Sequence, residues 1–114
     1  MKDSEINFIV TLDEQNIPEK IHWEASDQNP KELTETKSIS ISVWDHQVQN
    51  TMRIDLWTKE MPVDELKRFY LDTVGGLAQS LLNATGDEFM ATEMNNLCER
   101  LVQHLKESND ENSH

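Results

Sequence analysis

Apolar and polar positions alternate with period two through the first half of the chain. Ile6, Phe8, Val10 and Leu12 share one side of a strand. After the polar stretch Asp13-Glu14-Gln15-Asn16 and Pro18, Ile21, Trp23 and Ala25 alternate with His22 and Glu24. The two runs predict a hairpin. Residues 26–36 are rich in turn formers and charge, with an isolated Leu33, and read as a loop. Ile39, Ile41 and Val43 then alternate with Ser38, Ser40 and Ser42. Met52, Ile54 and Leu56 alternate with Arg53, Asp55 and Trp57. The short link 45–50 makes an antiparallel pair of these two strands.

Beyond Met61-Pro62 the period changes to 3.6. Pro62, Asp64 and Glu65 suit a first helical turn, where a missing donor is tolerated and the dipole favours acids. Val63, Leu66, Phe69, Tyr70, Val74, Leu77, Leu81 and Ala84 form its stripe. Gly75-Gly76 interrupts this helix, as a close-packing site or as a hinge. Gly86 suits a helix terminus, and Asp87 suits the cap of the next helix. That helix carries Phe89, Met90, Met94, Leu97, Cys98, Leu101, Val102 and Leu105 on one stripe.

The pattern predicts an α+β fold: a four-stranded antiparallel β-meander followed by two α-helices packed on one face. Residues 1–106 form a single domain, and the apolar-free stretch 107–114 forms a flexible polar tail. The other sheet face carries Ser38, Ser40, Ser42, His22, Glu24, Arg53 and Asp55.

Charge narrows the partners. The chain has 114 residues and a formal net charge of -12. The excess is shared evenly between residues 1–62 and 63–114. A field of that sign repels phosphate backbones and anionic lipid, so no nucleic acid and no direct membrane insertion are expected. The N-terminal Met1-Lys2-Asp3-Ser4-Glu5 lacks the basic and apolar runs of a signal peptide, and the reading is cytoplasmic.

Chemistry is sparse. Cys98 is the one cysteine and falls on the apolar stripe, where a thiol packs as a small hydrophobe. His22, His46, His104 and His114 show no metal-ligand spacing. The serines of the third strand sit on a regular face, unlike the strained turn of an activated nucleophile. Gly75-Gly76 lacks the lysine or hydroxyl of a phosphate loop. The reading is not an enzyme, with no catalytic residues, no cofactor and no metal.

One stretch stands out. Alternation turns Trp44 and Trp57 to the face opposite the helices. With Asp45, His46, Gln47 and Asn50 they make an amphipathic partner-binding patch, since exposed tryptophans are enriched at interface hot spots. The competing readings are a bulge that flips one Trp inward and an edge loop that covers both.

The segments Val43-Trp44-Asp45-His46-Gln47-Val48-Gln49-Asn50 and Ile54-Asp55-Leu56-Trp57-Thr58-Lys59-Glu60-Met61-Pro62-Val63-Asp64-Glu65 carry a resemblance. So do Phe8-Ile9-Val10-Thr11-Leu12-Asp13-Glu14 and Ile17-Pro18-Glu19-Lys20-Ile21. They resemble the gliding motility-associated GldC family of the Bacteroidetes. The resemblance implies a role in gliding and in the type IX secretion it shares, but supplies no catalytic residue or substrate. The expectation is an accessory protein that binds a protein partner of that machinery or forms a homo-oligomer. The alternatives are a holdase chaperone, by fold-level analogy with SecB, and a small-molecule pocket between sheet and helices.

Overall fold

A computed structural model of the chain describes residues 2–27 and 33–112. It contains β1 (Ile6–Leu12), β2 (Pro18–Ala25), β3 (Thr34–Thr36), β4 (Ser38–Asp45), β5 (Asn50–Trp57), α1 (Val63–Thr85) and α2 (Glu88–Asn112). The chain divides into two compact units, residues 1–62 and 63–114.

The first unit corrects the single four-stranded meander. The strands form two antiparallel sheets, one in the order β1-β2-β3 and one of β4 and β5. The segment read as loop ends in a short strand: Thr34, Glu35 and Thr36 pair with Trp23, His22 and Ile21. The rest of that loop, residues 28–32, lies outside the described residues. A bend at Lys37 separates β3 from β4, so one stretch of chain serves β2 first and β5 next. β-branched threonines at 34 and 36 favour extended backbone. Their lack of apolar alternation hid the strand.

The two sheets meet end to end. The Thr58 N–H donates to the Lys37 carbonyl at 2.8 Å, and the Lys59 N–H to the Pro18 carbonyl at 3.2 Å. The Lys59 Nζ reaches the Asp13 Oδ2 at 3.0 Å. Among the described residues of this unit, Ile21, Ser38, Ile39 and Thr58 are buried, and all belong to this junction or adjoin it.

Hairpins β1–β2 and β4–β5 are turned by the same device. The Asp13 Oδ1 accepts the N–H groups of Gln15 and Ile17, and the Asp45 Oδ1 those of Gln47 and Val48. Each loop then places a residue in the left-handed region, Asn16 at φ 64° and Gln49 at φ 58°. An aspartate that bonds the backbone ahead of it offers the chain a turn in place of a ladder.

In the second unit α1 and α2 are antiparallel neighbours joined at Gly86 and Asp87. Gly86 sits at φ +71° and its N–H donates to the Leu82 carbonyl at 2.9 Å, a left-handed helix terminus. The Asp87 Oδ1 accepts the Met90 N–H at 3.0 Å and caps α2. The buried residues among those described are small: Ala78 on α1 and Ala91 on α2. Of the longer residues of the two stripes, Leu66, Phe69, Leu81, Met94, Leu101 and Leu105 are half-buried, and Tyr70, Leu77, Leu97 and Val102 are exposed. Helix α2 runs through positions 107–112 of the expected tail, whose last two residues, 113 and 114, lie outside the described residues.

Candidate partner-binding face

Register fixes the faces of the β4–β5 ribbon. Ile39 lies opposite Leu56, Ile41 opposite Ile54 and Val43 opposite Met52, which gives an apolar face. Ser38 lies opposite Trp57, Ser40 opposite Asp55, Ser42 opposite Arg53 and Trp44 opposite Thr51 on the other. Both tryptophans therefore share one face, as alternation predicts, and both are exposed, Trp44 at 64% and Trp57 at 47%. No bulge interrupts the β4–β5 register.

They are not adjacent. Six positions along β4 separate Ser38, the partner of Trp57, from Trp44, which at ~3.4 Å per residue is roughly 20 Å. Between them lies a closed polar network. The Arg53 Nη2 donates to the Ser40 Oγ at 2.7 Å and to the Asp55 Oδ1 at 2.9 Å, and Nη1 donates to the Ser42 Oγ. The Ser40 hydroxyl donates to the Asp55 Oδ1 at 2.6 Å. Arg53 and Asp55 neutralise each other, so this face is locally uncharged on a strongly acidic chain.

The remaining patch residues divide by role. Asp45 is half-buried, and its Oδ1 is engaged by the turn. The Asn50 Oδ1 accepts the Thr51 N–H at 2.9 Å. His46 and Gln47 are exposed at the hairpin tip, beside the exposed Val48. The tip therefore lies at the Trp44 end of the ribbon. At the other end, Trp57 lines a cleft of about 350 Å³ with Ile17, Pro18, Asp55, Leu56 and Lys59. The spacing of residues did not reveal this cleft, because Ile17 and Pro18 reach it through the β2–β5 junction.

Two carboxylates here titrate below their usual range. The Ile17 N–H, then the Lys59 ammonium, hold Asp13 down; the Ser40 hydroxyl, then the Arg53 guanidinium, hold Asp55 down. Asp13 in turn holds the Lys59 ammonium above its usual range. A depressed carboxylate stabilises the fold above its ordinary value of 3.8, and that stability fades as pH falls through the folded value. The expected result is an acid limb: the urea midpoint followed by tryptophan fluorescence drops as pH falls below about 4. Asp13→Asn has a lower midpoint at neutral pH and a flatter acid limb. An unchanged limb in the variant removes Asp13 from the account.

Among the described residues no three or more His, Cys, Asp or Glu side chains gather as a metal site, and no helix is long and apolar enough to cross a membrane.

The fold is that of an α+β protein with two small antiparallel sheets and two helices, and its β4–β5 ribbon exposes both tryptophans. Residues 18–107 match the family described as gliding motility-associated protein GldC-like, and the chain belongs to that family. Comparison with curated proteins and with solved structures gives no match. Membership ties the chain to gliding motility.

Proposed function

We propose that the chain is a non-enzymatic, cytoplasmic accessory protein of gliding motility and type IX secretion. It acts by binding a protein partner through the ribbon face that carries Trp44 and Trp57. The observation that supports this is the exposure of both tryptophans on one face. Exposed tryptophan offers a partner a large apolar area to cover, and Trp is among the residues enriched at energetic hot spots. The Arg53-Asp55-Ser40-Ser42 network adds rigidity, since its polar groups are bonded to one another before any partner arrives. His46 and Gln47 supply adaptable hydrogen bonds at the tip.

The test is a pull-down from gliding cells with a Trp44→Ala, Trp57→Ala double variant. Each truncated hot spot costs ~2 kcal/mol or more of binding, so partners of the native chain should fall to background. Partners retained at native levels by a folded double variant remove this face from the function.

A second reading is supported by the apolar side of the same ribbon. Val43, Met52 and Ile54 are exposed there, the kind of surface a holdase offers to unfolded chains. It predicts suppressed aggregation of a denatured client by the native chain. A Val43→Ser, Met52→Ser, Ile54→Ser variant should lose that effect while keeping the partners held through tryptophan.

A further inference from the structure

We infer that β4 is the contact edge of a two-fold dimer, in which a second copy of the chain adds its own β4 antiparallel to the first. The ribbon has only two strands, and such a ribbon is marginal in water unless further strands or another surface complete it. Hydrogen-bond parity shows which backbone groups are open. The Thr58 N–H bonds the Lys37 carbonyl, and antiparallel pairs alternate between bonded and open. Ile39, Ile41 and Val43 therefore bond to β5. Ser40, Ser42 and Trp44 turn their N–H and C=O groups to the outer edge, where no strand among the described residues meets them. Ser38 is set apart, because it is buried and its carbonyl accepts the Thr36 hydroxyl at 3.2 Å. The open run is Ser40 to Trp44, and its centre is Ser42.

This run is self-complementary. With the axis at Ser42, that residue lies opposite its own counterpart, Ile41 opposite the counterpart of Val43, and Ser40 opposite the counterpart of Trp44. Apolar meets apolar on one face and hydroxyl meets hydroxyl or indole on the other. Sharing a two-fold axis makes the contact closed, so it ends at two copies. The result is a four-stranded sheet in the order β5-β4-β4-β5. Each Trp44 would lie against the counterpart of Ser40, whose hydroxyl is bonded to Asp55 and Arg53.

The self-complementary register selects the occupant, and charge selects the edge. Two copies of net charge -12 repel, so a self-contact has to fall on a neutral stretch. Ser40 to Trp44 carries no ionised side chain. It also lacks the lysine, proline or bulge with which exposed edges are commonly protected against pairing. The outer edge of β5 belongs to Thr51, Arg53, Asp55 and Trp57, and its charges make it the poorer edge. The strand contact is smaller than the roughly 800 Å² per partner of a standard interface, so the dimer dissociates on dilution. This inference stands apart from the partner-binding reading, because it rests on backbone groups rather than on Trp57.

The test is mass measurement by sedimentation in the analytical ultracentrifuge from micromolar to millimolar concentration, on the native chain and on Ser42→Pro. Proline at 42 removes an outward N–H and leaves the β4–β5 bonds intact, as an edge strand allows. The native chain should pass from 13.2 kDa to twice that mass, and added salt should shift the passage to lower concentration. Ser42→Pro should stay at one copy with an unchanged circular dichroism spectrum. Should it fail to fold, Ser42→Lys takes its place, with amide exchange at Ser40, Ser42 and Trp44 as readout. Those amides slow on dimerisation in the native chain and stay fast in the variant. A native chain that is a single copy at millimolar concentration overturns the inference. So does a dimer that survives folded Ser42→Pro or Ser42→Lys.

Discussion

Replacing Ile21 with alanine should lower the stability of residues 1–62 by about 3 kcal/mol, within the range for a buried Ile→Ala. Ile21 is 0% exposed and is the one large side chain fully buried among the described residues. It sits at the middle of the three-stranded sheet, opposite Val10 on β1 and Thr36 on β3. Truncation to alanine removes three buried carbons and leaves a cavity that the paired backbones cannot close. The readout is tryptophan fluorescence in urea, because Trp23, Trp44 and Trp57 all lie in this unit. With a slope of about 1.5 kcal/mol per molar, the midpoint falls by roughly 2 M. Ile21→Val keeps the branched shape and should lose about 1 kcal/mol. A shift under a third of that expected for alanine shows that Ile21 is not the centre of this core.

The contrast with the rest of the unit explains what the sequence allowed and what it hid. Alternation placed β1 and the inward side of β2, but it marks a buried side chain only in β2, at Ile21; Ile6, Phe8 and Leu12 of β1 stay exposed. It also placed Trp44 and Trp57 on one exposed face, since register parity needs only the strand to be regular. The corner at Lys37 left no such mark. Thr34 and Thr36 lie on a strand of three residues with no apolar member, and their pairing with β2 is a long-range event. The cleft at Trp57 was hidden for the same reason, as it depends on the Lys59–Pro18 hydrogen bond. Asp45 was legible and read differently. Asp13-Glu14-Gln15 and Asp45-His46-Gln47 share a spacing, and each aspartate bonds the N–H two residues ahead. An aspartate that opens a polar link between two strands is a turn former before it is a binding residue.

In the helical unit, a Gly75→Ala, Gly76→Ala double variant should gain about 2 kcal/mol, close to 1 kcal/mol for each glycine removed from a helix interior. The two glycines lie inside one continuous helix, α1, so their backbone already adopts the conformation alanine prefers. Space decides the sign. A Cβ at Gly75 meets the Cys98 Sγ at 4.0 Å, an ordinary van der Waals contact, and a Cβ at Gly76 meets nothing within 4 Å. Alanine at 75 adds a contact across the α1–α2 seam, where Ala78 and Ala91 are already buried. Both substitutions also shrink the freedom of the unfolded chain. The gain should appear as a rise of roughly 8 °C in the melting of the 222 nm helical signal, at about 4 °C per kcal/mol for a domain of this size. Gly75→Leu is the informative partner. Its longer side chain drives into Cys98, and overpacking of that kind costs about 1–3 kcal/mol. With room for a methyl at both positions, close packing does not require glycine at 75, and the expected order there is Ala above Gly above Leu. A hinge orders them differently: glycine is then there for the freedom it keeps, and alanine brings no gain in the helical melt.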